Sequence, residues 1–509
     1  MTDDTRPARE WSRRIWLQAM GLAGLGAGLS AGIAPAFAQA SEPGDAWASA
    51  FRPFDGPAFQ GELRTGSLAI EGRLPAELRG CLYRNGPARF RLNDSRLSHW
   101  FDGDAMVQAI RLGAGQASHH GRLLDTPKRR QEEAAGRFLY GGFGSTVSRP
   151  RGLRSPDELN PANINLLAMA GGKRLYALWE AGSALDLDPD TLASRGWKAW
   201  SPETAGAPFS AHPRVDPDGT VWSFGYMPGT GTLLIYQIGA DGILKRQAVR
   251  ELPQVDMVHD FAITERHLVF LLQPLVFTAR ADLRNLLDGM RWNPGAPLLA
   301  CVMSKATLEP RLFELPTGGV FHLGNAWEEG GTIRLGYARA ESIMALMQQL
   351  RVDTPAAPQA PGSSVWTEVS IDVAGGRASQ QMTDLSAIEF PRTDPRRTGL
   401  RHSLTVLLQR GPTMDPRVFG FDTVIVREGE RSQRHAYGNG WIAEEHLYVP
   451  HPHDTREGAG WVLGPAYHWP SGKTTLSVFQ ADALAQGPLA QVRLPYGLPL
   501  GLHGQFVPG

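Results

Sequence analysis

The sequence predicts an all-β fold of many short strands, with a β-propeller as the leading architecture. Three observations lead there. Short apolar runs recur at intervals of roughly ten residues from about Phe51 to the C-terminus, separated by Gly, Pro and Asp-Gly turns. Gly 58 and Pro 38 in 509 residues exceed what a helical chain carries and suit a turn-rich one. The strand-bearing span is too long for a single sandwich, and no composition shift divides it. No exact repeat is visible, so the blade reading rests on strand count.

In chain order, the N-terminus reads as an export signal. Arg13-Arg14 precede a Gly- and Ala-rich apolar run over 17–34, and Ala36-Phe37-Ala38 supplies a small-x-small cleavage pattern. The expectation is a twin-arginine signal over 1–38, cleavage after Ala38, and a periplasmic single domain over 39–509. The alternative is an uncleaved anchor, but small residues dilute a run already at the lower limit for spanning.

Segments 67–72, 80–84, 105–112, 174–179, 221–226, 232–236, 267–272, 333–337, 403–408, 461–463 and 475–480 read as strands. Segments 282–289 and 340–350 are helix-like insertions, expected to gather as a cap on one face. Residues 354–364 are rich in Pro, Ala and Gly and read as a mobile loop. Lys+Arg and Asp+Glu both total 51, so no net field favours nucleic acid. Cys81 and Cys301 make neither a disulfide framework nor a CxxC site, and are expected as buried thiols.

Four of the 14 histidines stand out by their setting: Ser210-Ala211-His212-Pro213, Val258-His259-Asp260-Phe261, Phe321-His322-Leu323-Gly324 and Leu502-His503-Gly504. Their spacing fits no local metal motif. Each sits at the edge of an apolar strand, where a side chain can point down a propeller axis. Ligation by nitrogen alone suits iron, copper or zinc. The His451/His453 pair would share one face of a strand. Its segment is dense in Pro and Asp and reads instead as a turn.

Several motifs now converge. They are Tyr83-Arg84-Asn85-Gly86-Pro87, His99-Trp100-Phe101-Asp102-Gly103-Asp104, Ala177-Leu178-Trp179-Glu180-Ala181-Gly182, Asn325-Ala326-Trp327-Glu328-Glu329 and the four histidine stretches. In this order the chain resembles the carotenoid cleavage oxygenases, and within them the bacterial apocarotenoid oxygenases, chiefly through 143–217. The resemblance implies a seven-bladed β-propeller with a helical and loop cap over an axial metal site. It implies one Fe(II) per chain, held by His212, His259, His322 and His503. It also implies carboxylates behind the ligands: Glu180 for His259, Glu389 for His322 and Glu457 for His503, with none for His212. Such a carboxylate takes the other ring N–H and fixes the imidazole's tautomer and aim. Two departures stand out. Glu457-Gly458-Ala459-Gly460-Trp461 lacks the usual acidic pair after the Glu, and Ile164 stands between Asn163 and Asn165 where many members have Thr.

The implied reaction is oxidative scission of a conjugated alkene by O2 into two carbonyl products. A lipophilic substrate would enter through an apolar tunnel, with Phe101, Ile164, Trp179, Phe261, Phe321 and Trp327 as candidate walls. Leu275, Val276, Phe277, Leu283, Leu286 and Leu287 form either a membrane-contacting patch at its mouth or a packed cap. A phenolic stilbene is the alternative substrate, with Lys128 as a candidate to engage its hydroxyl; isomerisation is a weaker option. A reading of another class is a metal-free periplasmic propeller that binds or scaffolds.

Overall fold

The computed structural model describes residues 45–55, 59–280, 282–352 and 364–509. Among these, the strands form seven antiparallel sheets of four to six strands, the seven blades of a propeller, and two two-stranded ribbons. The two ends of the chain close the ring. The last strand, His503–Pro508, pairs with Gly80–Arg89 in the first blade, and places His503 opposite Asn85. An early strand, Ala69–Gly72, pairs with Pro488–Arg493 in the last blade. Closure of this kind leaves few unpaired edges and joins distant parts of the sequence.

Burial explains the sequence pattern. A strand inside a blade is covered on both faces and reads as a continuous apolar run, as in Val221–Met227, which is buried throughout. The outermost strand of the same blade, Leu244–Glu251, alternates between half-buried and exposed. All eleven segments read as strands in the sequence overlap strands of the fold.

The cap differs in part. Helix Ile343–Gln349 lies within 340–350 and starts where the Ser342 side chain accepts from the Met344 N–H. Segment 282–289 is not an α-helix; it ends in a short 3-10 turn, Leu287–Gly289. The backbone N–H groups of Leu286 and Leu287 donate to Gly142 and Phe143 instead of to their own chain four residues back. Tertiary pairing here overrides a helix-like pattern. A helix that the apolar pattern did not reveal spans Pro127–Ala135. Its signals are the Thr126 cap, Pro127 in the first turn and Gly136 at φ 64° at the end.

Of the two readings of this apolar segment, burial favours the packed cap. Leu275, Phe277, Leu283 and Leu287 are buried in one cluster with Met257, Met290, Phe321, Ile343 and Met347, and Leu286 packs against it. Only Val276, 44% exposed, faces outward among the six. These side chains hold the cap to the propeller. Cys81 and Cys301 are free and buried, and burial pushes both thiols up to about 12. The signal over 1–38 and most of the 354–364 loop lie outside the described residues.

Candidate metal centre

Each blade supplies one residue to the axis. His212 precedes the inner strand Arg214–Val215, His259 precedes Ala262–Ile263, His322 lies in Gly319–Glu329, and His503 opens the closing strand. The other three blades supply carboxylates: Glu180 after Arg174–Leu178, Glu389 in Ile388–Arg392, and Glu445 between Trp441–Ala443 and Leu447–Pro450. The four imidazoles are buried, and one ring nitrogen from each lies within 4.8 Å of the others. Nε2 of His212 is 3.0 Å from Nε2 of His259, and Nε2 of His322 is 3.1 Å from Nε2 of His503.

Three ligand candidates are aimed from behind. His259 Nδ1 donates to Glu180, whose second oxygen accepts from the Tyr226 hydroxyl. His322 Nδ1 donates to Glu389 at 2.5 Å, and His503 Nδ1 donates to Glu445 at 2.8 Å. The expected pairing of His503 with Glu457 is therefore corrected. Glu457 accepts from the backbone N–H groups of Ser403 and Leu404 and anchors the start of strand Leu404–Gln409. Its loop cannot reach the axis while tied there. Glu445, by contrast, is completely enclosed and also receives Arg392, Arg84 and the Gly504 N–H. Gly504 is required for that approach: a Cβ there would lie 2.4 Å from the Tyr83 carbonyl oxygen. Among the described residues, His212 has no hydrogen-bonded carboxylate; Asp260 is 3.9 Å from its Nδ1, and both its oxygens are held by Arg214. The Asn165 side chain donates to the Ala211 carbonyl, which fixes the turn leading into His212.

The donor set fits a divalent cation. With Nδ1–H given to a carboxylate, Nε2 of His259, His322 and His503 presents a lone pair toward its neighbours. Lone pairs 3 Å apart repel unless a cation lies between them. Two bonds of about 2.1 Å meeting at a right angle would separate their nitrogens by about 3.0 Å. Charge points the same way: buried Glu389 and half-buried Glu180 have no Arg or Lys partner among the described residues, which leaves two negative charges beside the centre. Burial pulls His212 well below the usual imidazole range, aided by the other three rings. Burial also pulls His503 down to about 3 against the opposing effect of Glu445. Both shifts favour the neutral imidazole. At His322, burial pulls the imidazole down, but Glu389, Asp260 and Glu445 together overcome it and move it upward. At Glu445, burial acts upward, and Arg392, His503 and Arg84 overcome it to keep the carboxylate ionised.

An apolar cavity opens on the imidazoles, walled by Trp47, Trp100, Phe101, Phe143, Ile164 and Phe321 among others. A second apolar cavity holds Trp179, Tyr226, Phe277, Leu286 and Met290, and shares Phe101, Phe143, Ile164 and Glu180 with the first. Phe101, Ile164, Trp179 and Phe321 thus line the approach. Phe261 and Trp327 do not. Phe261 is fully buried between blades, where it stacks on Phe270 and meets Phe224 edge-on. Trp327 packs against His402. Phe261 lies just before strand Ala262–Ile263, and Trp327 lies beyond two register shifts in Gly319–Glu329. Lys128 lines neither cavity; it is enclosed, donates to Asp104 and Glu132, and is held above the usual amine range by those carboxylates against its burial.

A seven-bladed propeller with four axial imidazoles, three of them braced by carboxylates, defines a class of metal-dependent propeller enzymes with a lipophilic approach. A family model described as retinal pigment epithelial membrane protein matches residues 58–508, and the chain belongs to that family, the carotenoid oxygenases. The chain is 28% identical over 455 residues to apocarotenoid-15,15'-oxygenase from Synechocystis sp., covering 86% of this chain and 92% of that one. It is 28% identical over 471 residues to lignostilbene-alpha,beta-dioxygenase isozyme III from Sphingomonas paucimobilis, covering 86% and 93%. A solved structure of a Synechocystis apocarotenoid oxygenase variant superposes with a TM-score of 0.81 at 26% identity, covering 92% of this chain and 100% of that one.

Proposed function

We propose that the chain is an iron(II) dioxygenase that cleaves a conjugated carbon–carbon double bond of an apocarotenoid-like substrate with O2. The double bond and O2 give two carbonyl groups, each taking one oxygen atom. The observation that carries this reading is the four-imidazole centre opening on an apolar cavity. His212, His259, His322 and His503 would hold one ion per chain. Iron supplies the redox chemistry that lets O2 react with an alkene, which zinc lacks. Glu180, Glu389 and Glu445 hold three rings in the tautomer that presents Nε2 inward. Phe101, Phe143, Ile164 and Phe321 keep water from the reacting bond and align a flat conjugated chain. Ile164 offers only alkyl carbon to the centre, and its neighbour Asn163 ties down the Phe101 carbonyl.

The relatives' names support double-bond cleavage and span carotenoid and stilbene substrates. The buried ion pairs of Lys128 favour the apocarotenoid class, because that amine is not free to meet a phenol. Aerobic incubation of Fe(II)-loaded enzyme with an apocarotenal and with a hydroxystilbene tests this. Carbonyl product masses are expected from the apocarotenal. Cleavage of the stilbene alone would overturn the substrate class.

We also propose that the propeller is the mature chain, residues 39–509, in the periplasm. Arg13-Arg14, the apolar run and Ala36-Phe37-Ala38 support it. N-terminal sequencing of protein from a periplasmic fraction is expected to begin at Gln39. A chain retained in the cytoplasm with its leader would refute it.

A further inference from the structure

A second, smaller cavity lies between the first and last blades, apart from the substrate approach. Arg84, Asn85, Gln108 and Glu444 line it, with Met106 and Leu498. Each of the four polar residues carries one buried atom without a hydrogen-bond partner: Arg84 Nε, Asn85 Oδ1, Gln108 Nε2 and Glu444 Oε1. Their other polar atoms are engaged. Arg84 donates to Glu444 and Glu445. Asn85 donates to the carbonyls of Ala162 and Asn165. Gln108 Oε1 accepts from His119, and Glu444 Oε2 also accepts from the Gly501 N–H.

The four leftover atoms are two donors and two acceptors. Leaving any of them unpaired in the interior is costly, and native proteins rarely do so. The cavity has room for about one water molecule. A water molecule offers two donors and two acceptors, the complement of this set. We propose that this cavity is a built water site and that its water links Gln108 to Glu444.

The link has a consequence at each end. Glu444 also forms part of the wall of the metal cavity. It shares Arg84 with Glu445, which holds His503. On the other side, Gln108 begins a hydrogen-bonded line through His119 and Tyr496 to Thr65 near the surface, with steps of 2.9, 2.9 and 2.8 Å. The water therefore steadies the support of His503 and completes a polar route from the blade edge to the metal cavity. Glu444, Arg84 and Gln108 act here as positioning residues. The inference does not depend on the identity of the metal or the substrate.

A crystal structure of the full chain, at a resolution that shows ordered water, tests the site. One water is expected within hydrogen-bonding distance of all four atoms. A dry cavity, or side chains repaired directly with one another, would overturn the proposal. The near-isosteric Gln108→Met removes one donor and the link to His119. Its crystal structure should lack the water, and deuterium uptake at the Gly501 amide should rise about threefold as Glu444 loosens. Loss of the water with unchanged uptake at Gly501 would refute the steadying role.

Discussion

Replacing His259 with alanine is expected to remove iron and activity together while leaving the propeller folded. His259 is buried, approaches His212 at 3.0 Å, and is the only ring that Glu180 orients. Its removal takes away one of four nitrogens and leaves Glu180 directed at empty space. The loss should exceed the ~10–100-fold that removing an outer hydrogen-bond partner costs. Fold retention follows from where stability resides. The blades around His259 are held by Phe224, Ile235, Phe261, Phe270 and their neighbours, none of which depends on the imidazole. The measurement pairs metal analysis of anaerobically prepared protein with circular dichroism. Wild-type protein that takes up less than about a tenth of an iron per chain after Fe(II) addition would sink the metalloenzyme reading itself, and would favour a binding propeller. A variant that keeps full activity would remove His259 from the centre.

The sequence makes some of this site legible and hides the rest for definite physical reasons. Strands inside blades are covered on both faces, so their apolar runs are continuous and easy to read, as with Val221–Met227. The four histidines could be picked out because each begins or ends such a run. Their convergence depends on ring closure between Gly80–Arg89 and His503–Pro508, and no local spacing encodes that pairing. Phe261 and Trp327 were plausible walls because they lie beside ligand motifs. Phe261 precedes its strand and Trp327 follows two register shifts, so distance along the sequence from the ligand does not tell which way either side chain points. In the cap, Leu283 and Leu287 give a helical period, but the backbone N–H groups of 286 and 287 donate to another segment. Glu445 carried a usable signal. Ala443-Glu444-Glu445-His446 places two acids inside an apolar strand region, the same oddity that singles out Glu180 after Ala177-Leu178-Trp179.

The choice between Glu445 and Glu457 yields the second large effect. Glu445→Gln keeps the shape of the side chain but removes its charge. The amide oxygen can still accept from His503 Nδ1, so the ring is not simply released. Half-buried Arg392, at 2.7 Å, then loses its carboxylate partner, and Arg84, at 3.1 Å, loses one of two and keeps Glu444. A hydrogen bond to a charged group is worth about 1.5–3 kcal/mol, which sets the scale of that loss. The weaker acceptor also makes His503 a poorer donor to the metal. Iron affinity is expected to fall ~10–100-fold, with a lowered unfolding midpoint. Glu457→Gln should behave differently. Its oxygens serve the Ser403 and Leu404 N–H groups at 2.9 Å, and an amide oxygen can retain part of that. The expected cost is about 1 kcal/mol in stability, with no measurable change in iron affinity. Metal titration of the two apo-proteins side by side decides the matter. A large affinity loss in Glu457→Gln with little change in Glu445→Gln would reverse the assignment, and would mean that the 403–404 anchor gives way when metal binds.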